Sequence, residues 1–67
     1  MRVYETILSI LEEKGPLPIS VICNEVNQVL TINREKPLHP SQIQSIVTRK
    51  KDLFLMNGGR LSIHPDK

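Results

Sequence analysis

Between residues 38 and 63 the apolar residues change period, from that of a helix to that of a strand, and this limits the fold more than any other feature of the chain. In Leu38 to Asp52, LHPSQIQSIVTRKKD, Ile43, Ile46 and Val47 fall at i, i+3 and i+4 and so share one helical face. Pro40 suits the first helical position, with His39 as an exposed or capping residue beside the N-cap, and the segment closes on a basic cluster. A helix is expected over about 40–52. From residue 53 the pattern alternates: Phe54 and Met56 against Leu53 and Leu55, then Leu61 and Ile63 against Arg60, Ser62 and His64. Asn57-Gly58-Gly59 separates the two runs, and Asn-Gly is a strong turn signal because both residues accept positive φ. A hairpin is expected over about 53–64, with Phe54, the only phenylalanine, as a core anchor.

At about 100° per residue, the outer face of this helix carries Ser41, Gln44, Ser45, Thr48 and Asp52, flanked by Gln42 and Arg49. These hydroxyls, amides and one guanidinium hydrogen-bond well to base edges and phosphates. Lys50 points towards the core side at the helix end and has to snorkel outward, with Lys51 to one side of it and Arg49 to the other. A cationic triplet at a helix C-terminus has a bland explanation, dipole complementarity and solubility, beside the sharper one of phosphate contact. Arg60 lies next to the hairpin turn, where it could meet a nucleic-acid backbone.

Two further helices precede this unit. Val3, Tyr4, Ile7, Leu8, Ile10 and Leu11 form a stripe of about 160° over residues 2–14, and Arg2, Glu5, Thr6, Ser9, Glu12 and Glu13 face away. Lys14 suits the last turn, Gly15 the C′ position, and Pro16 forbids continuation. In the stiff connector GPLPIS, Pro16 and Pro18 push Leu17 towards extended geometry, enough for a short strand beside the hairpin. The next helix spans about 19–30. Ile19, Ile22, Cys23, Val26, Val29 and Leu30 face inward; Ser20, Asn24, Asn27 and Gln28 lie outside or on the flanks; Val21 falls off the stripe and is partly exposed. Residues 31–38, TINREKPL, form a loop in which Arg34 and Lys36 are either solvated or extra phosphate contacts, and Leu38 tucks under the third helix.

Sixty-seven residues make a single small domain, which buries only about 60% of its unfolded surface. No staple compensates: Cys23 alone forms no intramolecular disulfide, and the two histidines do not make a zinc site with it. Cys23 reads as a small buried hydrophobe, and a free thiol suits a reducing cytoplasm. No apolar run approaches the roughly 20 residues that span a bilayer, and no signal peptide is evident. The net charge of +2 is unevenly spread. Residues 1–30 carry Glu5, Glu12, Glu13 and Glu25 against Arg2 and Lys14, a net of −2. Residues 31–67 carry Arg34, Lys36, Arg49, Lys50, Lys51, Arg60 and Lys67 against Glu35, Asp52 and Asp66, a net of +4. The basic end is built from the third helix, the hairpin and the loop before them.

Nothing catalytic is expected. There is no second histidine near an acid or nucleophile, no glycine loop cradles a phosphate, and no paired carboxylates suggest a pocket. No cofactor, metal or small-molecule substrate is expected either.

The order helix, Pro-Leu-Pro connector, helix, long loop, helix and Phe-containing hairpin resembles winged helix-turn-helix domains. It resembles in particular the HARE-type group, to which the amino-terminal domain of the bacterial RNA polymerase delta subunit belongs. The matching segments are ILEEKGPLPISVICNEV and KPLHPSQIQSIVTRKKDLFLMNGGRLSI, nearly the whole chain, and they are mostly core and turn residues. The resemblance implies a mainly helical α+β fold, a three-helix winged helix-turn-helix with a C-terminal β-hairpin wing, as one domain over 1–67. It also implies a third helix in the DNA major groove and a wing on the backbone. Carried onto this chain, that places Ser41, Gln42, Gln44, Ser45, Thr48 and Arg49 at the bases, with Lys50, Lys51, Asn57 and Arg60 on phosphates. Two departures stand out: the outer face of the third helix is not rich in arginine or lysine, and the long acidic tail of delta-type proteins is missing.

The leading expectation is a small non-enzymatic DNA-binding regulator, cytoplasmic and nucleoid-associated, with double-stranded DNA as partner. The Met1 start and polar tail lead us to expect a complete small protein. A single module of this size makes a small interface, so a homodimer or a larger assembly accompanies that expectation. The rival expectation is a docking module of the same fold in a transcription, replication or DNA-modification assembly, using the acidic back of the first helix and Val21.

Overall fold

Residues 2–65 are described by the computed structural model. The expected tail at Asp66 and Lys67, like Met1, lies outside the described residues. The order is α1 (Val3–Lys14), β1 (Leu17–Pro18), α2 (Ile19–Ile32), α3 (Pro40–Arg49), β2 (Phe54–Asn57) and β3 (Arg60–Ile63). Three helices and a three-stranded antiparallel sheet in the order β1-β3-β2 make a mainly helical α+β unit that ends in a hairpin.

The core is the meeting of the expected stripes. Ile7 and Leu11 of α1, Ile22, Cys23, Val26 and Leu30 of α2, Ile43 and Val47 of α3, Phe54 and Leu61 are all buried, and among the described residues no polar side chain is. Tyr4, Leu17, Leu38, Ile46 and Ile63 pack around them half-buried. Leu17 pairs with Leu61 and Pro18 with Arg60, so the Pro-Leu-Pro connector is a strand of the sheet. Pro18 has no N–H to donate, which is tolerable because β1 is an edge strand.

The helix ends repay inspection. At Gly15, φ is 81° and the N–H returns to the Leu11 carbonyl. Two residues longer than expected, α2 closes with Arg34 in the left-handed region at φ 61°. The Arg34 N–H bonds the Thr31 carbonyl and the Glu35 N–H the Leu30 carbonyl, a Schellman closure with arginine where glycine is usual. By contrast α3 stops at Arg49, three residues short of the expected Asp52. The next inner-face positions after Val47 are Lys50 and Lys51, so no apolar side chain anchors another turn. Instead the Lys50 carbonyl accepts from the N–H groups of Leu53 and Phe54, and the chain reverses into β2.

The hairpin turn is also displaced from expectation. Asn57 belongs to β2 and pairs with Arg60, leaving Gly58 and Gly59 as the two central residues, at φ 60° and 78°. Positive φ at both centres is the type I′ pattern. Glycine reaches it freely, and asparagine is the side chain that tolerates it best at the first centre. This register sets Phe54 against Ile63 and Met56 against Leu61, and extends to a bond from the His64 N–H to the Leu53 carbonyl.

Candidate nucleic-acid interface

The start of α3 is fixed by its own side chains. His39 Nδ1 accepts from the Ser41 N–H at 3.2 Å, and Gln42 Oε1 accepts from the His39 N–H at 2.7 Å, a reciprocal capping pair. The Ser41 hydroxyl lies 2.9 Å from the same ring nitrogen. Ser41 and Gln42, both expected at DNA bases, therefore spend part of their bonding capacity on the cap.

What places α3 against the rest is Asn27. Its Nδ2 donates to the Leu38 carbonyl at 3.0 Å, and the Leu38 N–H donates to its Oδ1 at 2.8 Å. The side-chain amide thus pairs with a backbone amide as a neighbouring strand would. Cys23 adds a weaker bond from Sγ to the same carbonyl at 3.4 Å and is otherwise a buried free thiol. The sequence reading put Asn27 on the outside or flank of α2. The available signal was a lone amide one turn beyond Cys23, beside the inner stripe.

Further along α3, Gln44, Ser45, Thr48 and Arg49 are exposed. The Thr48 hydroxyl donates to the Gln44 carbonyl at 2.9 Å, one turn back. Asp52, expected on this face, lies beyond the helix, in the turn before β2. Lys51 is exposed in that same turn, and Asn57 and Arg60 are exposed as the cross-strand pair nearest the hairpin tip. Among the described residues the one ion pair is Lys14–Glu25, so Arg49, Lys51 and Arg60 have no carboxylate partner.

Lys50 is separated from this set. Its ammonium sits 4.5 Å from the centre of the Tyr4 ring, on the α1 side of α3. The expected snorkelling is realised as a cation–π contact. Arg2 Nη1 donates to the Tyr4 hydroxyl at 3.3 Å, and that bond, followed by the charge of Glu5, raises the guanidinium pKa above its ordinary value. Sequence reasoning assigned Tyr4 to the core stripe and turned Arg2 outward, and so missed their junction with α3.

Elsewhere, α1 and α2 flank a groove of about 440 Å³ lined by Ile10, Glu13, Lys14, Glu25, Val29 and Ile32, among others. Lys14 Nζ donates to Glu25 Oε1 at 2.6 Å across it, which raises the lysine pKa. Ile32 is 80% exposed. On the hairpin, Leu55 and Met56 are 39% and 44% exposed, and Val21 on α2 is 38% exposed. No group of three or more metal-ligating side chains occurs among the described residues, and no helix is long and apolar enough to cross a membrane. The chain matches no family model, no curated protein and no solved structure.

Proposed function

We propose that the chain is a small DNA-binding domain of the winged-helix type, resembling the HARE group. On this reading α3 lies in the major groove, β2–β3 is a wing on the backbone, and the role is regulatory rather than catalytic. The observation that carries it is the exposed face of α3: polar throughout, and followed by cations with no acidic partner. Gln44, Ser45 and Thr48 would meet base edges or bridging waters; Arg49, Lys51, Asn57 and Arg60 would meet phosphates. Ser41 and Gln42 would contribute what the cap leaves free.

The test is an NMR titration of labelled protein with a random-sequence duplex at two salt concentrations. Shifts gathered on 41–51 and 57–60 are expected. With about three phosphates neutralised at about −0.9 each, log K falls against log salt with a slope near −3. Absence of shifts at low salt removes DNA as the ligand.

A second reading has its own observation. The exposed Ile32 beside the α1–α2 groove favours a protein-docking surface separate from the outer face of α3. Shifts from a protein partner would then fall on Ile10, Glu13, Val29 and Ile32, leaving α3 unmoved.

A further inference from the structure

At the seam of α1 and α3 there is an open hollow of about 290 Å³, lined by Arg2, Val3, Tyr4, Ile46, Arg49 and Lys50. Three of these six are cations and none is an acid. Two of the cations are held by one side chain. Tyr4 takes the Lys50 ammonium over its ring face at 4.5 Å, and its hydroxyl oxygen accepts from Arg2 Nη1 at 3.3 Å. Arg49 completes the lining from α3. Val3 and Ile46 supply the apolar part of the lining.

We infer that this hollow binds a phosphate group, with Arg2, Arg49 and Lys50 supplying the charge and Tyr4 aligning two of them. Like charges gathered on one small cavity repel one another, and an anion between them turns that repulsion into attraction. Guanidinium groups match phosphate oxygens in geometry as well as charge, and the ammonium acts as a point charge beside them. The Tyr4 hydroxyl accepts from Arg2, which leaves its own proton free to donate to a phosphate oxygen. The phosphate is either a free phosphate ion or one phosphate of a nucleic-acid backbone, and the two sources share this chemistry. The site shares Arg49 with the flank of the outer face of α3, but Gln44, Ser45 and Thr48 take no part in it.

The test is NMR on the labelled full chain with two probes, inorganic phosphate against chloride at matched ionic strength, and a twelve-base-pair duplex. The readouts are the Tyr4 ring and the Arg2, Arg49 and Lys50 signals. Saturable shifts there with phosphate assign a free-ion site; saturable shifts there with duplex alone assign a backbone-phosphate site. Two charge-removing variants, Lys50→Met and Arg2→Gln, are each expected to weaken the binding by about tenfold. Lys50→Met keeps an unbranched chain against the Tyr4 ring, and Arg2 lies outside the core, so one folded variant suffices. Unmoved hollow signals with both probes, or binding unchanged in a folded variant, overturn the inference. Duplex shifts on Gln44, Ser45, Thr48 and the wing that leave the Tyr4 ring and Arg2 unmoved overturn it while leaving the DNA reading intact. Saturation by phosphate with no duplex binding does the reverse.

Discussion

Asn27 decides where α3 sits. The side-chain amide satisfies both the N–H and the carbonyl of half-buried Leu38, at 2.8 and 3.0 Å, one residue before the N-cap of α3. Asn27→Leu keeps the branched shape, leaves the Leu38 N–H without its partner and leaves the carbonyl only the weak Cys23 thiol, a cost of about 1–3 kcal/mol. Domains of this length are stable by roughly 0.05–0.15 kcal/mol per residue, so such a loss is a large share of the total. Thermal or urea unfolding should show the variant destabilised, with the amides of 38–42 exchanging faster. Stability equal to wild type would mean that apolar packing of Leu38 alone holds the segment. Asn27 was illegible from the pattern because periodicity sorts residues by hydrophobicity. It has no means of showing that a polar side chain will find a backbone partner eleven residues away.

At the scale of elements, what the sequence made legible was the set of apolar stripes, and what it hid was where each element stops. The three helices, the Leu17 strand and the Phe54 anchor all follow from period and punctuation. The early end of α3 does not, because no breaker residue marks it: the helix stops where Lys50 and Lys51 would take the inner-face positions. The hairpin shows the same limit. Asn57-Gly58 is the stronger local turn signal, yet Gly58-Gly59 is the turn, because that register also gains the Phe54–Ile63 pair and the Leu53–His64 bond. The difference can be tested. A Cβ at Gly58 meets nothing within 4 Å, and asparagine is the L residue most at home at a left-handed φ of 60°. Gly58→Asn therefore places Asn-Gly at the true centre of the turn and restricts the unfolded chain. It should raise stability by about 0.4–1 kcal/mol, read as a higher urea midpoint with an unchanged m-value. A loss of stability would mean that the turn is not type I′.

Charge separates the two functional readings at the scale of the whole molecule. Arg49 and Lys51 border the outer face of α3, whereas Glu12 and Glu13 are exposed at the far end of α1, and Glu13 lines the groove beside Ile32. Glu13 lies nine residues along α1 from Tyr4, about 14 Å at 1.5 Å per residue. That exceeds the Debye length of about 8 Å at physiological salt. Two double variants of equal and opposite charge therefore probe different partners. If DNA lies on α3, Arg49→Ala with Lys51→Ala should lower duplex affinity at least tenfold and flatten the salt slope by about 2, while the domain stays folded. Glu12→Gln with Glu13→Gln, which raises the net charge by the same amount, should change affinity less than threefold at 0.15 M salt, because its effect is long-range and screened. If instead net charge alone drives a loose association, the two pairs will shift affinity by similar factors in opposite directions. If the α1–α2 groove docks a protein, only the glutamate pair will affect that complex. Calorimetry of the wild type and the two double variants against one duplex, at two salt concentrations, distinguishes a local contact on α3 from a diffuse attraction to a basic protein.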